Sequence, residues 1–185
     1  SQFLSPYTNK RRDAYGGSFE NRKRFMTEML MAVRESMPSN MAMIVKMNCW
    51  DGFEKGITKE EGVLTAKAIE QCGADAVVVS GGFVSRAPMY VMRGRMPVDI
   101  MAYYIREGLK KYFVKLAGQQ LIPSVPYVEG YFMEEAKRIQ QAIKIPVVLV
   151  GGMNSMHTIE KAMSEGFQWI AMARALIENT NFVND

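Results

Sequence analysis

Two short runs, Ala76-Val-Val-Val-Ser80 and Val147-Val-Leu-Val150, constrain the fold more than anything else in the chain. Both are rich in β-branched residues and almost wholly apolar, without polar alternation, as expected of strands covered on both faces. Each is followed by a glycine pair, Gly81-Gly82 and Gly151-Gly152. Met43-Ile-Val-Lys-Met-Asn48 and Trp169-Ile-Ala-Met-Ala173 are two more runs of strand length. Helical patterns separate them. Ser18 can cap a helix through Phe19, Arg22, Phe25, Met29 and Val33 that stops at Pro38. Thr58 and Glu61 form a capping box for a helix running to Cys72, with Gly73 as its left-handed stop. Phe132, Ala136, Ile139 and Ile143 share one helical face, and another helix runs from about Ser155 to Glu165 before Gly166. Strand and helix alternate four times, which predicts an α/β fold on a parallel sheet.

The chain has 185 residues, a length that suits one domain. With 48% hydrophobic and 23% charged residues it can bury a core, so disorder is excluded. Residues 83–130 interrupt the pattern. Pro88, Pro97, Pro123 and Pro126 mark irregular stretches there, around a helix expected within Ile100 to Leu116. We read residues 1–185 as a single partial domain with 83–130 as an irregular, partly helical insertion.

Two architectures fit alternating strands and helices. A doubly wound sheet of five strands suits the length, whereas a (β/α)8 barrel needs about 250 residues. The phosphate chemistry points the other way. A dinucleotide fold places G-x-G-x-x-G after its first strand, and no such run exists here. Instead glycines follow the third strand and Arg174 follows the fourth, matching the barrel phosphate site after strands seven and eight. The expected fold is therefore the C-terminal half of a (β/α)8 TIM barrel, about four βα units.

Three features carry candidate chemistry. Backbone N–H groups beyond a strand end can approach a phosphate only where no Cβ blocks them, and Gly151-Gly152 meets that need. A tight strand-to-helix turn explains the same pair, and Gly81-Gly82 looks locally identical. Arg174 stands at the carboxyl end of the last strand, where its fork can hold a phosphate; pairing with Glu178 is the plainer role. Lys46 lies among apolar strand residues and shares a face with Ile44 and Asn48. Inward in a barrel it meets an anionic or electron-rich ligand; at a sheet edge it snorkels to water.

Other classes are thinly supported. The single histidine, His157, excludes a His-rich zinc site, and no metal site is expected. The net charge of +4 is too small to imply nucleic acid. No apolar run reaches the roughly 18 residues of a membrane span, so no membrane partner is expected. Cys49 and Cys72 form no C-x-x-C, which fits free thiols in a reducing, cytoplasmic location. No catalytic acid or nucleophile is evident.

The N-terminal residues add a resemblance. Gln2-Phe-Leu-Ser-Pro6, Asn9, Arg11, Asp13, Tyr15-Gly-Gly-Ser18, Glu20-Asn-Arg22 and Arg24-Phe25 closely resemble a stretch of the old yellow enzyme family. These are NAD(P)H:flavin oxidoreductases, including enoate and dienoyl-CoA reductases. Pro146 to Gly152 and Ala171 to Arg174 also resemble that family's last two strands, while residues 83–130 resemble it weakly. The resemblance implies an FMN-binding (β/α)8 barrel, reduced by NADH or NADPH, that passes hydride to an activated C=C bond. It makes Gly151, Gly152, Ala173 and Arg174 ligands of the FMN phosphate. It places Lys46 where a cation, commonly arginine, faces flavin N1 and O2. Ala173 stands where glycine is common. The family's substrate-orienting pair, His with His or Asn, lies just before the Q-F-L-S-P run, which here begins at residue 2. The resemblance therefore implies the C-terminal half of such an enzyme, with no activity of its own and a small-molecule substrate. A flavin-free barrel enzyme binding a sugar phosphate is the alternative. The cut strand edges lead us to expect a homo-oligomer, with Ile44, Val77, Val79, Val148 and Val150, in some combination, supplying the exposed inward side chains.

Overall fold

A computed structural model describes residues 2–87, 93–94, 97–121 and 125–184. Its elements are α1 (Phe19–Ser36), β1 (Ile44–Asn48), α2 (Lys59–Gln71), β2 (Ala76–Ser80), α3 (Val98–Tyr104), α4 (Gly108–Leu121), α5 (Met133–Gln140), β3 (Val147–Val150), α6 (Met156–Ser164), β4 (Trp169–Ala171) and α7 (Arg174–Glu178). The four strands form one parallel sheet in the order β1-β2-β3-β4. Neighbours in sequence are neighbours in the sheet, as in a barrel wall, and helices cross between them. The fold is a partial (β/α)8 barrel.

Local signals set the helix ends. The Ser18 side chain accepts from the Asn21 N–H at the start of α1. Thr58 and Glu61 close a reciprocal capping box on α2, and Ser155 accepts from the Thr158 N–H to begin α6. Within 83–130 the expected single helix is two, α3 and α4, packed chiefly on each other through Val98 and Val114. Pro88 and Pro123 lie outside the described residues. The last strand ends at Ala171, two residues earlier than its apolar run, because the chain turns at Ala173 into α7.

One face of the sheet is buried. Met47, Val77, Val79, Val147 and Leu149 pack with Leu30 of α1, Ala66 and Ile69 of α2, Ala136 and Ile139 of α5 and Ala162 of α6. Val77, Val79 and Leu149 are fully inaccessible. Burying each such side chain contributes about 1.5–3 kcal/mol. Of the five candidates for the inner face, Val77 and Val79 instead face the helices. In parallel register Lys46 pairs with Val78, Val78 with Val148 and Val148 with Trp169, and this row belongs to the other, inner face. Ile44, Lys46 and Trp169 are exposed there; Val78, Val148 and Val150 are half-buried.

The irregular N-terminal segment is wired to the barrel. Buried Ser5 donates to the buried carboxylate of Asp51 at 2.6 Å, and the Ile57 N–H donates to the same oxygen at 2.8 Å. The Asn9 amide donates to the carbonyls of Phe3 and Tyr15. Buried Arg22 donates to the carbonyls of Leu4 and Gly17 and pairs with Glu61. The rings of Tyr7, Phe53 and Phe83 meet edge-on at 5.1–5.6 Å, joining this segment to the loops after β1 and β2.

Gly62 of α2 sits against the Cys49 backbone, and a Cβ there would collide with the Cys49 carbonyl oxygen. Glycine to alanine in an open helix stabilises by about 1 kcal/mol. Here Gly62→Ala is expected to destabilise by about 1–3 kcal/mol through overpacking. Urea denaturation checks the sign, since a higher midpoint in the variant would contradict this close approach.

Candidate functional site

The carboxyl end of β3 runs directly into the Gly151-Gly152 turn. Both glycines take positive φ, +107° and +70°, a conformation that L side chains rarely adopt. A Cβ at Gly151 would lie 2.7 Å from the Tyr131 ring, and one at Gly152 would lie 2.9 Å from it. The turn is thus a bare-backbone cradle with an aromatic wall. Next along the sheet, β4 ends and Arg174 begins α7. Its guanidinium reaches the Tyr131 hydroxyl at 3.4 Å. Tyr131, Gly151, Gly152, Asn154, Ala173 and Arg174 line one cleft of about 200 Å³.

The structure therefore brings together four of the five candidate residues: Gly151, Gly152, Ala173 and Arg174. Lys46 is not among them. It stands on β1, at the far edge of the sheet, exposed on the inner face. The two glycine pairs are no longer equivalent. The Gly82 N–H donates to the Trp50 carbonyl at 2.8 Å, and the Gly82 carbonyl accepts from Asn48. That pair is committed to joining β1 and β2, whereas Gly151-Gly152 borders a cleft.

Tyr131 went unrecognised in the sequence. Its ring lies 4.8 Å from that of Phe132, and the Arg93 guanidinium stands 4.5 Å above it. The signal was available as Gly130-Tyr131-Phe132, an aromatic pair ahead of a helix, but nothing in its spacing points at a strand two elements away. Glu129 holds the loop beneath. It accepts from Ser155 at 2.5 Å and from Thr158, and these two bonds keep its carboxyl below the usual range. Asn154 donates to the Tyr127 hydroxyl at 2.7 Å, and burial followed by the nearby Glu129 raises that phenol.

The donor set fits a phosphate monoester. Positive-φ glycines leave space for an anion at the strand end, and a guanidinium at the next strand end supplies charge and a bidentate fork. Among the described residues no catalytic nucleophile or acid lines the cleft. His157 lies on α6 and is exposed.

Comparison with known proteins decides the family. The model of the NADH:flavin oxidoreductase / NADH oxidase family matches residues 1–112. The chain belongs to this family. A 4,4'-dithiodibutanoate disulfide reductase from Rhodococcus erythropolis is 37% identical over the whole chain, which covers 46% of that protein. An NADH oxidase from Thermoanaerobacter brockii is 28% identical over 95% of the chain, which covers 22% of it. The chain thus spans less than half the length of these relatives. A 2-naphthoyl-CoA reductase complex superposes with a TM-score of 0.68 at 24% identity, over 97% of this chain and 24% of that one. A morphinone reductase variant with tetrahydroNAD superposes at 0.57 and 20% identity, over 99% of this chain and 38% of that one. At such identities these structures speak for the fold alone. The family match ends at residue 112, within α4, and so takes in the N-terminal segment, β1, β2 and α3; the Rhodococcus relative aligns over the cleft at β3 and β4 as well.

The thiols are spectators. Burial, followed by the nearby Glu135 carboxylate, pushes Cys49 up to about 12. Burial also raises Cys72. Both are expected to resist a thiol reagent such as Ellman's at pH 8 in the folded chain and to react once it is unfolded. The Cys49 thiol holds its proton above the ordinary value of 9.0, so its stabilisation is full below that pH. It is lost as pH rises toward about 12. Rapid native labelling of Cys49 would contradict this.

Proposed function

We propose that the chain carries the FMN phosphate site of an FMN-dependent NAD(P)H oxidoreductase that reduces activated C=C bonds. The observation that carries the reading is the shared cleft, in which Gly151 and Gly152 after β3 meet Ala173 and Arg174 after β4. Family membership favours FMN there over a sugar phosphate. When bound, the flavin supplies hydride exchange between nicotinamide and substrate.

The chain's own residues hold and orient. Arg174 neutralises the phosphate; the glycine turn admits it; Tyr131 walls the cleft and keeps the Arg174 fork in place through its hydroxyl. Lys46, on the inner face and in one cross-sheet row with Val78, Val148 and Trp169, would supply positive charge to the electron-rich part of a bound flavin. A lysine gives that charge without the fork of an arginine. We further propose residues 1–185 as a single partial domain with 83–130 inserted, a cytoplasmic location, a small-molecule substrate, NADH or NADPH as reductant, and self-association through the open sheet.

Fluorescence titration of FMN tests the site. Arg174→Ala is expected to weaken FMN binding by about 1.5–3 kcal/mol, the scale of a charge-assisted hydrogen bond, and to leave riboflavin binding unchanged. An equal loss for riboflavin would place Arg174 outside phosphate recognition. By itself the chain is expected not to reduce an enone with NAD(P)H above a free-FMN control, since its single histidine, His157, is exposed on α6 and does not line the cleft where it could orient a substrate. Turnover above that control would overturn this part of the reading.

A further inference from the structure

The helices α3 and α4 leave the sheet after β2, and the chain returns through residues 125–130 to Tyr131 in the cleft wall. They bury little besides their mutual contact. Val114 packs on Val98, and a Cβ at Gly118 would sit 3.3 Å from the Val98 methyls, so these positions form the inner side of α4. The other side is apolar and open. Leu109, Tyr112, Phe113 and Leu116 recur at i, i+3, i+4 and i+7, and they are 59–86% exposed. Tyr103 and Tyr104 of α3 are 75% and 77% exposed.

Charge is concentrated on the same segment. Residues 83–121 hold seven Lys or Arg and two Asp or Glu, a balance of +5, against +4 for the whole chain. The remainder is therefore slightly acidic. Lys110 on α4 is paired with Glu107 at 2.8 Å. At about 100° per residue, Lys110 and Lys115 lie on either side of the apolar ridge, while Lys111 falls on the inner side with Val114 and Gly118.

We propose that the α3–α4 hairpin docks on an anionic lipid surface. An exposed ridge of aromatic and aliphatic side chains flanked by lysines matches the two demands of such a surface, apolar insertion below the headgroups and attraction to their charge. No helix among the described residues is long and apolar enough to cross a membrane, so the hairpin lies on the surface. A second copy of the chain fits less well. Two-fold packing of the ridge on itself would bring the flanking Lys110 and Lys115 of both copies to one interface, with like charge on each side. The proposal departs from the sequence-based expectation of no membrane partner, and it is independent of the flavin reading.

Co-sedimentation of the chain with vesicles tests it, using phosphatidylcholine alone and phosphatidylcholine mixed with phosphatidylglycerol. The chain is expected to sediment with the anionic vesicles and not with the neutral ones, and raised salt is expected to release it. Lys110→Glu with Lys115→Glu, and separately Tyr112→Ser with Phe113→Ser, are each expected to lower the partition by about tenfold or more. Failure to sediment with either vesicle, equal sedimentation with both, or indifference to both variant pairs would overturn the proposal. So would a vesicle-free dimer that the Tyr112/Phe113 pair dissociates, which assigns the ridge to a second copy.

Discussion

Parallel pairing in a single register from β1 to β4 decides what every strand residue does. Lys46 lies opposite Val78, Val78 opposite Val148, and Val148 opposite Trp169, so one row crosses the sheet on one face. A shift by one residue would carry Lys46 into the helix-covered core and bring the buried valines out. Burial of Val77, Val79 and Leu149 beneath the helices makes that shift costly. The same register sets the ends of β3 and β4 side by side, which is why the Gly151-Gly152 turn and Arg174 reach one cleft despite being over twenty residues apart.

Much of this was legible because its causes are local. The Ser18 cap, the Thr58–Glu61 box and the apolar strand runs each act within a few residues, and the helices begin where those residues say. The inward or outward direction of β2 was not read, because Ala76 to Ser80 is uniformly apolar and shows no alternation. Only pairing with β1, whose Lys46 marks the inner face, distinguishes Val78 from Val77 and Val79. Tyr131 was missed for a similar reason: its role depends on a contact with Arg174 across forty-three positions. The turn at Ala173, which shortens β4 and starts α7, follows an apolar stretch that carries no local stop signal.

The family signature has a structural explanation. Ser5 satisfies a buried carboxylate, Asn9 ties two carbonyls together, and Arg22 joins the N-terminal segment to α2 through Glu61. Such residues are intolerant of exchange because a buried partner left alone carries a full desolvation cost. They hold Asp51 and the loop after β1 in place, at the opposite edge of the sheet from the proposed phosphate cleft. The α3–α4 hairpin makes no part of that network or of the cleft. It packs mainly within itself, presents an open apolar ridge and lies in a segment, residues 83–121, that concentrates the chain's positive charge.

The central claim is that the turn after β3 and the arginine after β4 form one phosphate site. A crystal structure of the chain with FMN, or with inorganic phosphate at high concentration, tests it most directly. The account predicts the phosphorus within hydrogen-bonding range of the Arg174 guanidinium and the backbone N–H groups of Gly152 and Ala173, with the Tyr131 ring alongside. Phosphate bound elsewhere, with Arg174 turned away from the Gly151-Gly152 turn, would contradict it.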